Sequence, residues 1–350
     1  MDETTFRILS TSTILTSSSS ISSLTNTINK LHGTAYYKNV YDKLRELEKN
    51  NIINITRIGR TSIPSINFNN YVTIDLLAEV ELRKKQNFLE EHTEMLMLFS
   101  EMDTHFNEFC SIKSILIINP EKNIKLNRAE FLFLLKNKSE ETENEITEIH
   151  LIMQKLQRMH NLKLDCLVLK EKEFIELLKS EDGNPLKEML SDKIAFFAPQ
   201  AFWLVIRAAL SQGIQLKPAE ETNPAEISET DLIYNLSRFG YKEIGLEIKE
   251  GRKICIETII TSLLLQSNSR RIDAIPVLLA KNKANYNLLL FLCKKYNRLE
   301  KLLGLIKVLK KIKSDKTIEG VIRMLERIGV KGEDVDERSI KQKMRLYNAI

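Results

Sequence analysis

Between Lys30 and Asn70 the chain carries seven basic residues (Lys30, Lys38, Lys43, Arg45, Lys49, Arg57 and Arg60) against three acidic ones (Asp42, Glu46 and Glu48). Guanidinium and ammonium groups neutralise phosphate, and an arginine or lysine also pairs with guanine, as an asparagine amide does with adenine. Tyr36, Lys38, Asn39, Lys43 and Arg45 fall close together, and Arg57 and Arg60 follow about a dozen residues later. These seven are the candidate duplex-binding residues. The excess of positive charge is modest, and the whole chain, at a formal +5, is only mildly basic.

The elements that would position them are legible in the same stretch. Tyr37, Val40, Leu44 and Leu47 are spaced three and four apart, the apolar stripe of a helix, which leaves the basic residues on the other face. Thr34 is the expected N-cap and Asn50-Asn51 the expected end. Two short β-branched runs, Ile52-Ile55 and Ser62-Ile66, flank Arg57-Ile58-Gly59-Arg60, so a hairpin with a basic tip is expected. Upstream, Ser22-Ser23 would cap a short helix from Leu24 to Leu31, and Leu31-His32-Gly33 would turn into the next one. An earlier helix, about Glu3 to Leu15, would pack across both, and the serine run Ser17 to Ser20 reads as a loop.

Residues 1–72 resemble the winged helix-turn-helix domains of bacterial and archaeal transcription regulators. The residues that carry the resemblance are Val40, Leu44, Leu47-Glu48-Lys49 and Ile52-Ile53, followed by a wing with Arg57 and Arg60. The resemblance implies a helix start that enters the major groove, with Lys38 and Asn39 there, and a wing that meets phosphate or the minor groove. Winged helices also serve as protein–protein modules.

Residues 73–110 read as one or two connecting helices with a broad apolar face that includes Met95, Met97 and Met102. That face would carry a dimer contact or pack on the next domain, and the sequence favours neither. From Ile112 the period changes. Ile112 to Asn119, Ala129 to Leu135 and Leu162 to Leu169 read as strands, Glu140 to His160 and Lys172 to Lys179 as helices. Gly183-Asn184-Pro185 breaks the chain before a short helix, a small strand at Ile194 to Phe197 and a buried helix, Phe202 to Leu210, with the only tryptophan.

This order, over residues 111–211, resembles the minimal nucleotidyltransferase fold of small archaeal and bacterial enzymes. Active members carry Gly-Ser after the first strand, where backbone must approach a triphosphate, and Asp-x-Asp on the second, where two carboxylates hold divalent metals. Here the first strand runs into Asn119-Pro120-Glu121-Lys122 and the second reads Arg128-Ala129-Glu130-Phe131. Asp165 stands where the family has its third carboxylate. The expectation is a degenerate domain with no catalytic residues and no cofactor, serving ligand binding or self-association. Glu130 and Asp165 would be the relocated carboxylates if it were a divergent active enzyme.

Residues 212–230 read as a linker with two prolines, and 231–350 as a helical bundle. Pro276 is expected to kink the helix from Arg271 to Ala280 or to sit in its first turn. The lysines from Lys294 to Lys313 read as a solvated face, and the last segment, Lys331 to Ile350, as a loosely held helix or tail. Cys110, Cys166, Cys255 and Cys293 are too scattered for a metal or redox pair, and buried reduced thiols are expected. The five histidines show no ligand spacing, and no metal is expected. No apolar run reaches ~20 residues, and Met1-Asp2-Glu3 does not open a signal peptide.

The expected fold is thus helix-rich α+β: a winged helix, a nucleotidyltransferase-like α/β domain and a helical bundle. The expected setting is the cytoplasm, without membrane contact. The expected function is transcription regulation by a protein that binds double-stranded DNA, as a homodimer. An alternative is an antitoxin-like component whose protein partner is a separate nucleotidyltransferase.

Overall fold

The computed structural model describes residues 1–14, 19–137, 141–214, 222–243, 248–266, 268–313 and 315–349. Leu15, Ser17 and Ser18 of the serine run, Glu140, residues 215–221 of the linker, Ser267 and Ser314 lie outside the described residues. The protein is α+β and 61% helical, with two small sheets. Among the described residues no helix is long and apolar enough to cross a membrane. The chain folds as two compact units: Met1–Lys136 with Phe174–Lys179 and Leu186–Ala219, and Asn137–Glu173 with Ser180–Pro185 and Glu220–Ile350.

The first unit begins with three helices, α1 (Glu3–Ile14), α2 (Ile21–His32) and α3 (Tyr37–Lys49), and a hairpin of β1 (Ile53–Ile58) and β2 (Thr61–Ile66). Phe6, Ile8 and Leu9 of α1, Leu24 and Ile28 of α2, and Val40, Leu44 and Leu47 of α3 are buried together. Two caps differ from expectation. The α2 cap is Ser20, whose hydroxyl accepts from the Ser23 amide, because the helix starts earlier, at Ile21. The α3 cap is Tyr36, with no side-chain bond, so Thr34 lies in the turn instead. Leu31, expected on an apolar face, is half exposed.

Residues 73–110 form two helices, α4 (Tyr71–Glu91) and α5 (Met95–Phe106). Their apolar face packs within the unit. Beyond them come β3 (Ile112–Ile118), α6 (Pro120–Ile124) and β4 (Arg128–Leu135). In the second unit lie α7 (Glu141–His160) and β5 (Lys163–Lys170). The chain continues through α8 (Glu171–Lys179), α9 (Pro185–Met189), β6 (Lys193–Phe197) and α10 (Pro199–Ser211).

Within the first unit β3 is central, antiparallel to β4 on one side and β6 on the other. Ile115 to Ile118 and Phe131 to Leu135 are fully buried, which is why these strands read as continuous apolar runs rather than alternating ones. Phe99 packs at 4.5 Å from Phe196, and Phe106 at 4.9 Å from Phe133, so α5 closes on the strands through aromatic edges. Met95 and Met102 join this core, whereas Met97, Leu82 and Leu96 stay exposed.

The second unit holds α7, β5 and the bundle: α11 (Glu229–Arg238), α12 (Ile256–Gln266), α13 (Ser269–Ile272), α14 (Ile275–Lys281), α15 (Tyr286–Lys295), α16 (Leu299–Ile312), α17 (Lys316–Arg327) and α18 (Glu337–Leu346). The helix expected from Arg271 to Ala280 is divided in two, with Pro276 in the first turn of α14, where its missing amide costs no bond. The expected loose tail is anchored: Ile340 and Met344 of α18 are fully buried. β5 is covered by α7 and α15. Cys166, Cys255 and Cys293 are buried, but Cys110 is exposed, because it follows the turn after α5 and precedes β3.

Candidate nucleic-acid interface

The turn between α2 and α3 is built on Gly33, whose φ of +81° lies in the region that favours glycine. The Gly33 amide bonds back to the Asn29 carbonyl at 3.1 Å, and the Asn29 side chain accepts from the Ala35 amide. The far end of α3 is closed by Asn51 at φ +57°, with the Ile52 amide on the Leu47 carbonyl at 2.9 Å. Asn67 and Asn70 then donate to the Asn51 carbonyl at 2.9 and 3.1 Å, fastening the base of the hairpin and the start of α4 to the end of α3.

The hairpin is in register from Ile53 opposite Ile66 to Ile58 opposite Thr61, leaving Gly59-Arg60 as a two-residue turn. Gly59 has φ +59° and Arg60 does not share the positive sign, the pattern of a type II′ turn with glycine first. Arg57, Ile58 and Arg60 are all exposed at this tip.

On α3 the 100° step per residue sets Lys38, Asp42, Arg45 and Lys49 on the stripe opposite Val40, Leu44 and Leu47, and all four are exposed. Lys49 was not among the candidates, although the same spacing rule reaches it. Among the described residues Lys38, Lys49, Arg57 and Arg60 enter no ion pair.

The other candidates are placed differently. Lys43 lies to the side of the stripe, 2.6 Å from Glu46 and 3.3 Å from Asp2. The Glu46 bond leads the effects that raise its pKa. Arg45 donates to Glu48 at 2.7 Å and to the Tyr41 hydroxyl at 3.1 Å, with its guanidinium 5.3 Å from the Tyr41 ring centre. Tyr37, expected in the buried stripe, is half exposed and stacks on Tyr41 at 6.1 Å. Tyr36 is two-thirds exposed. Tyr36 and Asn39 line a small depression of about 70 Å³ with Thr4 and Arg7 of α1. Water and salt screen exposed pairs of this kind, so Lys43 and Arg45 are held only lightly.

The carboxylates singled out further along are enclosed. Glu130, opposite Ile118 in the strand register, is almost wholly buried and paired with Arg128. In the second unit Asp165 is fully buried, 3.9 Å from the Lys163 ammonium and 4.0 Å from that of Lys294. Several lysines of the bundle are matched by acids: Lys307 with Glu326, Lys310 with Glu319, Lys311 with Glu337.

One grouping is invisible in the sequence spacing. Glu91 and His92, at the end of α4, meet Glu121 of α6, with one donor atom from each within 4.8 Å of the others. Such a set could hold a metal ion, which the linear spacing of the histidines did not suggest. Glu91 and Glu121 also line a cleft of about 250 Å³ within the first unit, together with His32, Lys84 and Asp192.

Comparison of the chain with family models, with curated proteins and with solved structures returns no match.

Proposed function

We propose that the chain is a DNA-binding transcription regulator whose amino-terminal winged helix reads duplex DNA. The observation that carries this reading is the pairing, in one stretch, of an uncovered stripe with Lys38, Arg45 and Lys49 and a wing tip that exposes Arg57 and Arg60. A helix of this kind presents its first turns to base edges, and a basic tip satisfies phosphate or the narrow minor groove. Asp42 is the one acid on the stripe, so the face stays net positive.

The body of the protein is read as a nucleotidyltransferase-like domain that binds a ligand or self-associates and does not transfer nucleotides. Two features support this. The loop after β3 is Asn119-Pro120 in place of a glycine-serine turn, and Glu130 is already neutralised by Arg128.

The test is binding of the full chain to the duplex upstream of its own gene, measured by gel shift or anisotropy across a salt series. The logarithm of affinity falls with the logarithm of salt at about 0.9 per phosphate contacted. Lys38→Ala combined with Arg60→Ala weakens binding and lowers that slope by close to two contacts. Binding unchanged in the double variant removes the helix and wing from the interface. Metal-dependent label transfer from a nucleoside triphosphate, abolished by Asp165→Ala, overturns the reading of the body.

A further inference from the structure

His92 caps the end of α4 and is gripped on both ring nitrogens. Nδ1 lies 3.3 Å from a Glu94 carboxylate oxygen, and Nε2 lies 3.1 Å from both oxygens of Glu121. The Phe88 ring, 4.9 Å away, fixes the plane of the imidazole from the preceding turn. Suppose Nδ1–H donates to Glu94, the usual way a carboxylate sets an imidazole tautomer. Nε2 then directs its lone pair at the Glu121 carboxylate, and Glu91 brings a second carboxylate oxygen to within 4.8 Å of both. Three acceptors meeting at this distance need a positive charge among them. A proton supplies it to one pair only, whereas a cation supplies it to all three.

We infer that Glu91, His92 and Glu121 form a binding site for one divalent transition-metal ion, of which zinc is the first choice. Metal–nitrogen and metal–oxygen bonds of 2.0–2.2 Å at tetrahedral angles separate neighbouring donors by about 3.4 Å. The Nε2 to Glu121 separation of 3.1 Å is therefore close to the bound geometry and needs only a small opening. The mixture of one imidazole and two carboxylates suits zinc or manganese, and disfavours magnesium and calcium, which take oxygen alone.

The surroundings bear on the site as well. The imidazole is half-buried between two exposed carboxylates, and its bonds to Glu94 and Glu121 and the Phe88 ring hold it in place, so the donor is preorganised. Glu91 and Glu121 both border the cleft, and its lining adds the Asp192 carboxylate and the ammonium groups of Lys84 and Lys193, the latter held by Glu81. The Nε2 of His32, in the same lining, is buried with no hydrogen-bond partner among the described residues. Three protein ligands leave at least one coordination position open, and the cleft gives a small molecule room to reach it.

The proposal does not depend on the DNA reading and is tested directly. The full chain is stripped of metal by dialysis against chelator and titrated at neutral pH with zinc chloride in competition with a chromogenic chelator. Cobalt chloride serves as a second, spectroscopic probe. One equivalent of zinc binds, and cobalt gives the visible absorption of a tetrahedral or five-coordinate site. His92→Ala and Glu121→Gln each weaken zinc by at least about tenfold, since loss of an outer partner alone costs that much. Both variants are checked for unchanged far-ultraviolet circular dichroism, and Glu94→Ala, which leaves all three ligands, gives a smaller loss. Failure of the wild-type chain to take up one saturable equivalent overturns the site and leaves the cluster as a proton-bridged clasp. Zinc uptake unaltered in both His92→Ala and Glu121→Gln overturns it equally.

Discussion

The ammonium of Lys193 lies 3.0 Å from a Glu81 carboxylate oxygen, and both side chains are almost completely shielded from water. The second Glu81 oxygen accepts from the Ala195 amide at 2.9 Å, and the ammonium sits 4.6 Å from the Trp203 ring centre. Burial alone would raise the Glu81 pKa, but Lys193, Lys84 and the Ala195 amide together outweigh it and hold the carboxyl below its ordinary range. The pair joins α4 to β6 inside the first unit.

Removing Glu81 takes the carboxylate partner from the buried Lys193 ammonium, and removing Lys193 leaves Glu81 only the more distant Lys84 ammonium at 3.6 Å. Lys193→Met and Glu81→Gln each destabilise the first unit by about 3–5 kcal/mol. The double variant recovers more than half of that loss, because glutamine still accepts from the Ala195 amide and no buried charge is left. Urea unfolding of the three variants closes the cycle, and additive losses would mean the pair is not coupled.

A second, part-buried contact makes the second unit sensitive to acid. His150 Nδ1 lies 3.2 Å from the Cys166 sulfur. Burial, aided by the charge of Lys294, pulls the imidazole down to about 3. Burial pushes the Cys166 thiol up to about 11, so the two are neutral together near pH 7. An unfolded chain takes up the histidine proton near its ordinary pKa of about 6.5. The folded chain refuses it down to about pH 3. The unfolded state therefore binds more protons between those limits, and stability falls as pH falls through the window by up to about 1.4 kcal/mol per unit. His150→Leu removes this contribution, so its loss of stability between about pH 6.5 and 4.5 is smaller than that of wild type by about 2 kcal/mol. Equal losses in both proteins would place the imidazole in contact with solvent.

Much of the fold was legible because local patterns and tertiary burial agree. Val40, Leu44 and Leu47 sit at helical spacing and all three point into the core, and the end of α3 and the turn of the hairpin follow from Asn50-Asn51 and Gly59. The helix caps were harder, since Ser20, Ser22 and Ser23 are chemically equivalent and only the position of Ile21 in the core selects Ser20. Cys110 read as buried on composition alone, yet the turn that ends α5 leaves it in solvent. The candidate metal ligands were beyond reach. Glu91 and His92 are separated from Glu121 by the whole of α5 and β3, so nothing in their spacing announces the contact. Likewise no rule of pattern could pair Lys43 with Asp2, which meet only because α1 packs beside α3.

Gly304, in the middle of α16, is required by a close approach and not by its dihedral angles. The segment after Gly332 crosses the helix there, with the Glu333 amide on the Glu300 carbonyl at 3.0 Å. A methyl group on Gly304 would collide with the Glu333 carbonyl and meet Val335 Cγ1 at 3.3 Å. Alanine favours a helix over glycine by about 1 kcal/mol. The obstruction is backbone, which cannot rotate aside as a flexible side chain would, and overpacking of this sort costs about 1–3 kcal/mol. The balance is unfavourable: Gly304→Ala lowers stability and releases α18, which limited proteolysis detects as earlier cleavage between residues 329 and 337. A more stable variant with α18 equally protected would contradict the crossing.

Lys38, in the first turn of α3, and Lys43, at its middle, separate the proposed DNA face from its flank. Lys38 stands on the outward stripe and among the described residues has no ion pair, while Lys43 is shared between Glu46 and Asp2. Lys38→Ala therefore weakens duplex binding more than Lys43→Ala does. Asp42 lies on the same outward stripe as Lys38, one turn along, where its charge opposes phosphate. Asp42→Asn strengthens binding a few-fold, less than the ~1.4 kcal/mol of a full decade. It leaves the salt slope unchanged, because no phosphate contact is gained. Anisotropy titrations of the three variants on one duplex at fixed salt decide the matter. A larger loss in Lys43→Ala than in Lys38→Ala, together with no gain in Asp42→Asn, would turn the binding face toward α1 and away from the exposed stripe.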